Sequence, residues 1–550
     1  MYVNALDNPF VYDDHDTVLA NPSLTDPSNI RFVLVHSPYR PVVNVSYAID
    51  RALWGPHPFG FHATSVALHA AMVALLFALL RRACADARAR SGAAAHSRED
   101  AYIAFAGAAL FAVHPLMSEA VAYVSGRSEL LCGAFSLAAV LSARAAMRGS
   151  MRMWAWTALW TLLAVLSKEV AFGLPVLILA YDWLLLPVPA SGRWRRTLLV
   201  FVPAVLAAAG LAAYRLTVTG GSTSVHSPML NLWTQAIVIW RYIGLFFFPI
   251  GQAVMHSVHT VRTLLDPLAL VAVTGLSLVV AAAVALRAAA PLTAFGVLWY
   301  FAAIAPSSSV VALREGMAEH RAYLASAGIV LAMAGAAVPA VAQARRDVPR
   351  RAHAAGFAVV CVVLAALTFA RNDVWGDPVR LWREAVVHAA GMWEPHYALA
   401  DVLRDAGDCE AAVRQYDTVV RLRPQHRDAH TNRGICLASL NRLEEAEQAF
   451  SAALEIDPAF VRGYTNLAAL ALVSGDPARA RDLYQRAIEV DTANVLARMQ
   501  LARIHETVFQ DFHAAARMCG EARALAPFTP GVAECVDRNQ RLARARDEGR

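Results

Sequence analysis

Lysine is almost missing from this sequence: of its 49 basic residues 48 are arginine, and Lys168 is the single lysine. A chain that writes nearly every cation as a guanidinium, yet keeps one ammonium between two apolar runs, has a use for a compact point charge. Such a group can contact a phosphate or pair with the adjacent Glu169. Charge of either sign is also scarce. Only 17% of the residues are charged and 57% are hydrophobic, with a mean hydropathy of +0.41, which excludes an ordinary soluble globular protein. The first sixty residues lack a basic stretch leading into an apolar one, so no cleavable signal peptide is expected there. Seven cysteines occur and none forms a metal-type cluster with histidine, so no metal site is expected. The formal charge of +6 does not argue for nucleic acid, because the arginines sit in short clusters between apolar runs. No internal repeat and no Gly/Pro-broken pair recurs among the apolar segments, which argues against a transporter.

What is present falls into two halves. Nearly all long apolar runs lie within residues 61–371, whereas residues 372–550 have the charge density and helical period of a soluble domain. Stretches of spanning or near-spanning length lie near 61–80, 102–117, 129–147, 153–167, 170–187, 198–216, 267–287, 291–306, 323–343 and 354–371, about ten crossings. Alternate connections carry the arginines: five between Arg81 and Asp100, then Arg144, Arg148 and Arg152, then Arg193, Arg195 and Arg196, and finally Arg345, Arg346, Arg350 and Arg351. The positive-inside rule makes these loops cytoplasmic. One segment, 231–250, is apolar but has Arg241 near its middle, and alternation holds only if it is a re-entrant or interfacial helix. With that reading the acidic segment 1–60 and residues 372–550 both face outward.

The C-terminal third repeats. Pro424 and Pro458 are 34 residues apart, Thr492 keeps the phase, and Pro527 follows after one inserted residue. Gly434, Ala446, Phe450 and Ala453 take the small and aromatic positions of a tetratricopeptide (TPR) repeat, echoed by Ala468, Ala480, Tyr484 and Ala487. About four repeats and a capping helix are expected, forming either a concave surface for a peptide or partner protein or a spacer. Cys519 and Cys535 lie eight residues either side of Pro527, where a hairpin would bring them together. Cys409 and Cys436 flank Pro424 less symmetrically, and in an oxidising compartment either pair could be a disulfide.

Polar residues concentrate in the outward loops: FVYDDHD with Asp13, Asp14 and Asp16, then YRPVVNVSYAID with Arg40 and Asp50, and later HPLMSEAVAYVSGRSE, LSKEVAFG and REGMAEHRAYLAS. Ionisable groups at membrane depth are costly, and five such clusters on one side read as a site rather than as caps. Together with GFHATSVALHA, these motifs and their order resemble the transmembrane and TPR-containing protein O-mannosyltransferases, of GT-C architecture, and their bacterial relatives. The resemblance covers almost the whole chain.

It implies an all-α protein with a GT-C-like membrane domain in a bacterial inner membrane and a periplasmic TPR domain. It also implies an enzyme that moves a sugar, typically mannose, from a polyprenyl-phosphate donor to a hydroxyl, with inversion and without a cofactor. The acceptor would be a protein or peptide held by the TPR groove. Asp13 and Asp14 would be the catalytic pair, and Arg127, Lys168, His320 and Arg321 would bind the donor phosphate. Arg40, His114, Glu119 and Glu169 would position the acceptor or its loops. The family carries a membrane helix before the acidic loop whereas Met1 is only twelve residues before Asp13, so a misassigned start or a truncated chain is expected, with about eleven crossings in all. The alternative to an enzyme is a non-catalytic membrane scaffold whose TPRs recruit partners.

Overall fold

The computed structural model describes residues 1–92, 97–186, 227–308, 315–343 and 350–549. These residues are helical and turn structure, divided into one compact unit of Met1–His388 and a second of Ala389–Arg550. The helix Pro378–His388, on the soluble side of the expected boundary at 371, thus belongs with the first unit.

Among the described residues five helices are long and apolar enough to cross a membrane, lying within Pro58–Arg90, Val124–Met147, Pro267–Ala285, Glu319–Val338 and Ala354–Gly376. A sixth results if Arg98–Val113 and Pro115–Ala122, bent by 57° at Pro115, act as one span. Helix α1 (Ile30–His36) and helix α2 (Pro41–Trp54) precede them. Helix α3 (Pro58–Arg90) and helix α4 (Ser97–Val113) pack side by side, followed by the short α5 (Ser118–Ala122), then α6 (Arg127–Met147) and α7 (Met153–Val165). After α8 (Leu174–Leu184) come α9 (Pro228–Phe247), α10 (Pro267–Ala285), α11 (Pro291–Ile304), α12 (Ala322–Gln343), α13 (Arg350–Gly376) and α14 (Pro378–His388). Three of the expected crossings are short helices here, α7, α8 and α11. At 1.5 Å per residue, 14 residues reach only about 21 Å of a hydrocarbon layer about 30 Å thick. The expected segment 198–216 and the arginines at 193, 195, 196, 345 and 346 lie outside the described residues.

The chain is a multi-pass membrane protein, and small residues let its helices meet. In α11 and α12 the glycines Gly296 and Gly328 face one another so closely that a Cβ on Gly328 would stand 2.5 Å from the Tyr300 backbone nitrogen. Backbone contact of this kind replaces the hydrophobic drive that lipid cannot supply. It holds α12, which His320 and Arg321 immediately precede. At the other end of the bundle, Asp86 of α3 is buried and takes Arg144 at 2.6 Å, Arg148 at 2.9 Å and the Tyr181 hydroxyl at 2.8 Å. The arginine-rich ends of α3 and α6 therefore meet there, while their N-terminal ends, with Phe61 and Arg127, meet at the opposite end through the Arg127 to Phe61 carbonyl bond of 2.7 Å.

The second unit is the TPR solenoid: four antiparallel pairs, α15 (Trp393–Asp405) with α16 (Cys409–Leu422), α17 (Arg427–Ser439) with α18 (Leu443–Ile456), α19 (Val461–Val473) with α20 (Pro477–Val490), and α21 (Val495–Thr507) with α22 (Phe512–Leu525). Helix α23 (Val532–Glu548) closes the stack. The small residues read from the period are the contact points. Ala446, Ala453, Ala468, Ala480 and Ala487 are fully or almost fully buried, and a Cβ on Gly434 would meet the Phe450 ring at 2.6 Å. Cys519 and Cys535 are joined as a disulfide between α22 and α23, whereas Cys409 and Cys436 are free.

Candidate functional site

The N-terminal segment folds onto the bundle through side-chain amides. The Asn4 amide donates to the Phe369 carbonyl at 2.9 Å and to Asp373 at 2.8 Å, and the Asn8 amide to the Asn372 carbonyl at 3.3 Å. Further along, buried Asn44 donates to the Val33 carbonyl at 2.6 Å and to Ser23 at 3.0 Å, pinning α2 beneath α1. Between these anchors Tyr12 takes φ +53°, a conformation that costs a non-glycine residue and is held by its hydroxyl bond to Glu315 at 2.6 Å.

That turn sends the two adjacent carboxylates to different places. Asp13 is exposed and lines a cleft of 490 Å³. Asp14 is fully buried behind the wall, where its Oδ1 accepts from the Ser125 backbone N–H at 2.7 Å and hydroxyl at 2.6 Å, and its Oδ2 from the Val11 N–H at 3.2 Å. Burial lifts the Asp14 carboxyl from the usual range to about 6, against the pull of these donors. A folded-state value above the unfolded one means that the native protein holds the proton more tightly. Asp14 therefore contributes stability that is fully present below about pH 4 and is lost as pH rises through about 6, by roughly 3 kcal/mol for a shift of this size. Thermal unfolding in detergent across pH 4–7 should show this slope, and Asp14→Asn should flatten it. An unchanged slope in the variant would refute the assignment.

Arg40, Lys168, Glu169, His320 and Arg321 line the same cleft as Asp13. Each cation is held. Lys168 donates to buried Glu129 at 2.6 Å, Arg40 meets Glu169 at 3.3 Å, and Arg321 donates to the Glu315 carbonyl at 2.9 Å. Lys168 does not turn to its neighbour Glu169. Its backbone is extended (φ −161°, ψ 146°), so successive side chains leave on opposite sides. His320 is fixed by Glu119, whose two oxygens take the ring Nδ1 at 2.6 Å and the backbone N–H at 3.2 Å.

The other anticipated residues stand outside the cleft lining. Arg127 is completely buried on α6, paired with Asp50 at 2.6 Å and enclosed by the Tyr47 and Phe61 rings at 4.9 and 5.6 Å. His114 caps the turn before α5: its Nδ1 accepts from the Leu116 N–H at 3.2 Å and its Nε2 donates to the Phe246 carbonyl at 2.7 Å. Glu119 lies one layer behind His320. Three further residues of the site, Glu129, Tyr12 and Glu315, are not among those singled out from the sequence. Glu129 was visible as an acid at the head of an apolar span, while Tyr12 and Glu315 carry no signal beyond lying within or beside polar loop motifs. Among the described residues no group of three His, Cys, Asp or Glu is placed to hold a metal ion.

The tetratricopeptide repeat family matches residues 397–459. The protein O-mannosyl-transferase F38B6.6 of Caenorhabditis elegans is 23% identical over 452 residues, covering 77% of this chain and 61% of that protein. Protein O-mannosyl-transferase Tmtc1 of Drosophila melanogaster is 32% identical over 187 residues, 31% of this chain and 20% of the relative. The chain thus spans less than two thirds of the length of the curated relatives it matches. Among solved structures, MamA of Desulfovibrio magneticus RS-1 is 23% identical with a TM-score of 0.26, over 28% of this chain and 86% of that one.

Proposed function

We propose that this chain, which belongs to the TMTC family of protein O-mannosyl-transferases, is a membrane glycosyltransferase that moves a sugar from a polyprenyl-phosphate donor to a hydroxyl. The observation that carries the reading is the shared cleft: two exposed carboxylates, Asp13 and Asp16, with three cations and the imidazoles of His36 and His320 in the same walls. In this mechanism Asp13 takes the proton of the acceptor hydroxyl as its oxygen forms a bond to the anomeric carbon. The bond from that carbon to the phosphate oxygen breaks, and the phosphate leaves with the electron pair, so a single displacement inverts the centre. Lys168, Arg321 and His320 stabilise the charge that gathers on the phosphate, and their fixed partners spare the cost of reorganising at that moment. Arg40 with Glu169 borders the acceptor side, and Arg127 and Asp14 hold the framework on which Asp13 stands.

The donor is taken to be mannosyl and the acceptor a protein serine or threonine delivered by the TPR array. The test is cell-free transfer from labelled polyprenyl-phosphate mannose with the full chain in detergent. Labelled protein product is expected, with Lys168→Arg losing most of the rate, because a planar fork cannot replace a compact ammonium against Glu129. No transfer from this or other polyprenyl-phosphate sugars would favour a scaffold that recruits partners through its TPRs, and full activity in Lys168→Arg would remove the role given to that residue.

The cleft and the arginine-rich ends lie at opposite ends of α6, whose 21 residues measure about 31 Å, one hydrocarbon thickness. With arginines inside, the cleft faces the extracytoplasmic side of an inner membrane and the TPR unit the periplasm, where the Cys519–Cys535 bridge is compatible with the redox state. A membrane-impermeant maleimide applied to intact cells should label Asp16→Cys and leave Arg152→Cys unlabelled. The reverse pattern would invert the topology.

A further inference from the structure

A second cavity, of 380 Å³, opens behind the cleft at the same end of the first unit, between α13, α14 and the turn after α9. Its position is tied to the cleft by Gln252, which lines the cavity and donates to Glu319 at 2.7 Å, the residue before His320. One part of the wall is apolar, built from Leu367, Val374 and Val387, and the other carries Arg371, Arg380, Glu384 and His388. Arg371 is buried and paired with Glu384 at 2.5 Å. Arg380 is exposed, and among the described residues its guanidinium has no protein partner, while its backbone N–H donates to Asp377. The cavity thus holds one surplus positive charge beside an imidazole.

The surroundings say what meets that charge. Only 17% of the apolar window within Ala354–Gly376 is buried, and α13 presents Val359, Val362 and Val363 outward, each more than half exposed. Beside Pro249 and Gly251 of the cavity wall, Phe248 is 74% and Ile250 81% exposed. Apolar surface of this extent on a spanning helix lies in hydrocarbon, and arginines at the end of such a span lie at headgroup level. A water-soluble anion has no use for the apolar wall, and a neutral lipid none for Arg380.

We propose that this cavity is a binding site for an anionic glycerophospholipid. The phosphodiester sits on Arg380 with His388 beside it, and an acyl chain runs along Leu367 and Val374 onto the outer face of α13. A diester carries one negative charge, matching the one surplus cation, whereas a phosphate monoester carries close to two.

The test follows lipid retained by the full chain in detergent, by native mass spectrometry, so it does not depend on glycosyl transfer. Phosphatidylglycerol should be retained in preference to phosphatidylcholine, and neither inorganic phosphate nor polyprenyl phosphate should displace it at equal concentration. Arg380→Gln should weaken retention about tenfold, the loss of one charge-assisted contact, and Ala370→Trp should block the acyl groove without changing charge. Arg262→Gln, an exposed arginine elsewhere, should retain lipid as the parent does. Equal retention of phosphatidylcholine, displacement by inorganic phosphate or polyprenyl phosphate, or unchanged retention in Arg380→Gln or Ala370→Trp would each overturn the proposal.

Discussion

Replacing Asp13 by asparagine is expected to cut glycosyl transfer by about two to four orders of magnitude, the usual worth of a positioned base, while leaving the fold intact. Its side chain is exposed in the cleft, and the local backbone is held by other groups: the Asp13 carbonyl accepts from the Thr17 hydroxyl at 2.8 Å and its N–H donates to the Tyr123 hydroxyl at 3.2 Å. Neither bond changes in the asparagine variant. Asp14→Asn should behave differently. One of its oxygens becomes an amide N–H, which either opposes the Val11 N–H or gives up the two bonds from Ser125, so a buried donor is left unmet at a cost of about 1–3 kcal/mol. Lower thermal stability at about pH 4, where the parent carboxyl is protonated, with most of the per-molecule rate retained is the expected signature. Transfer assays paired with unfolding curves on both variants check this. Equal rates in parent and Asp13→Asn would discard Asp13 as the base, and a folded but dead Asp14→Asn would move the base to Asp14.

Arg127→Met should destabilise the membrane unit by about 3–5 kcal/mol, the cost of stranding a buried charge. Arg127 is 0% and Asp50 2% exposed, and among the described residues the Asp50 carboxylate takes, besides Arg127, a bond only from the Thr64 hydroxyl, at 2.7 Å. Removing the cation therefore strands a carboxylate between α2, α3 and α6. The double variant Arg127→Met with Asp50→Asn should recover part of the loss, because the charge is gone together with its partner. Thermal unfolding of the four proteins in one detergent measures the coupling. If Arg127→Met is as stable as the parent and inactive, the guanidinium belongs to the donor site, as the family resemblance alone implied, and not to the framework.

That contrast shows where reading the chain succeeds. Arg127, Lys168, His320 and Arg321 look alike in sequence, as cations in polar loops beside apolar runs. In space Lys168, His320 and Arg321 reach the cleft, while Arg127 sits at the head of α6 with its side chain directed between α2 and α3, where Asp50 and two aromatic rings enclose it. His114 likewise serves its own turn as a cap. The TPR half was legible to the residue, since Gly434, Ala468 and Ala480 sit at the contacts that their 34-residue spacing predicts.

The reason is the range over which each feature is written. Helical period, apolar length and the repeat are local or strictly periodic properties, so the sequence by itself determined an all-α chain with a membrane unit followed by a TPR solenoid. Tertiary structure alone decided that Asp13 faces the cleft while Asp14 turns to Ser125, because one left-handed residue, Tyr12, sets their directions. It also decided that Lys168 answers to Glu129, 39 residues away, and not to its neighbour, since an extended backbone points adjacent side chains apart and only the packing of α6 against the loop supplies a carboxylate.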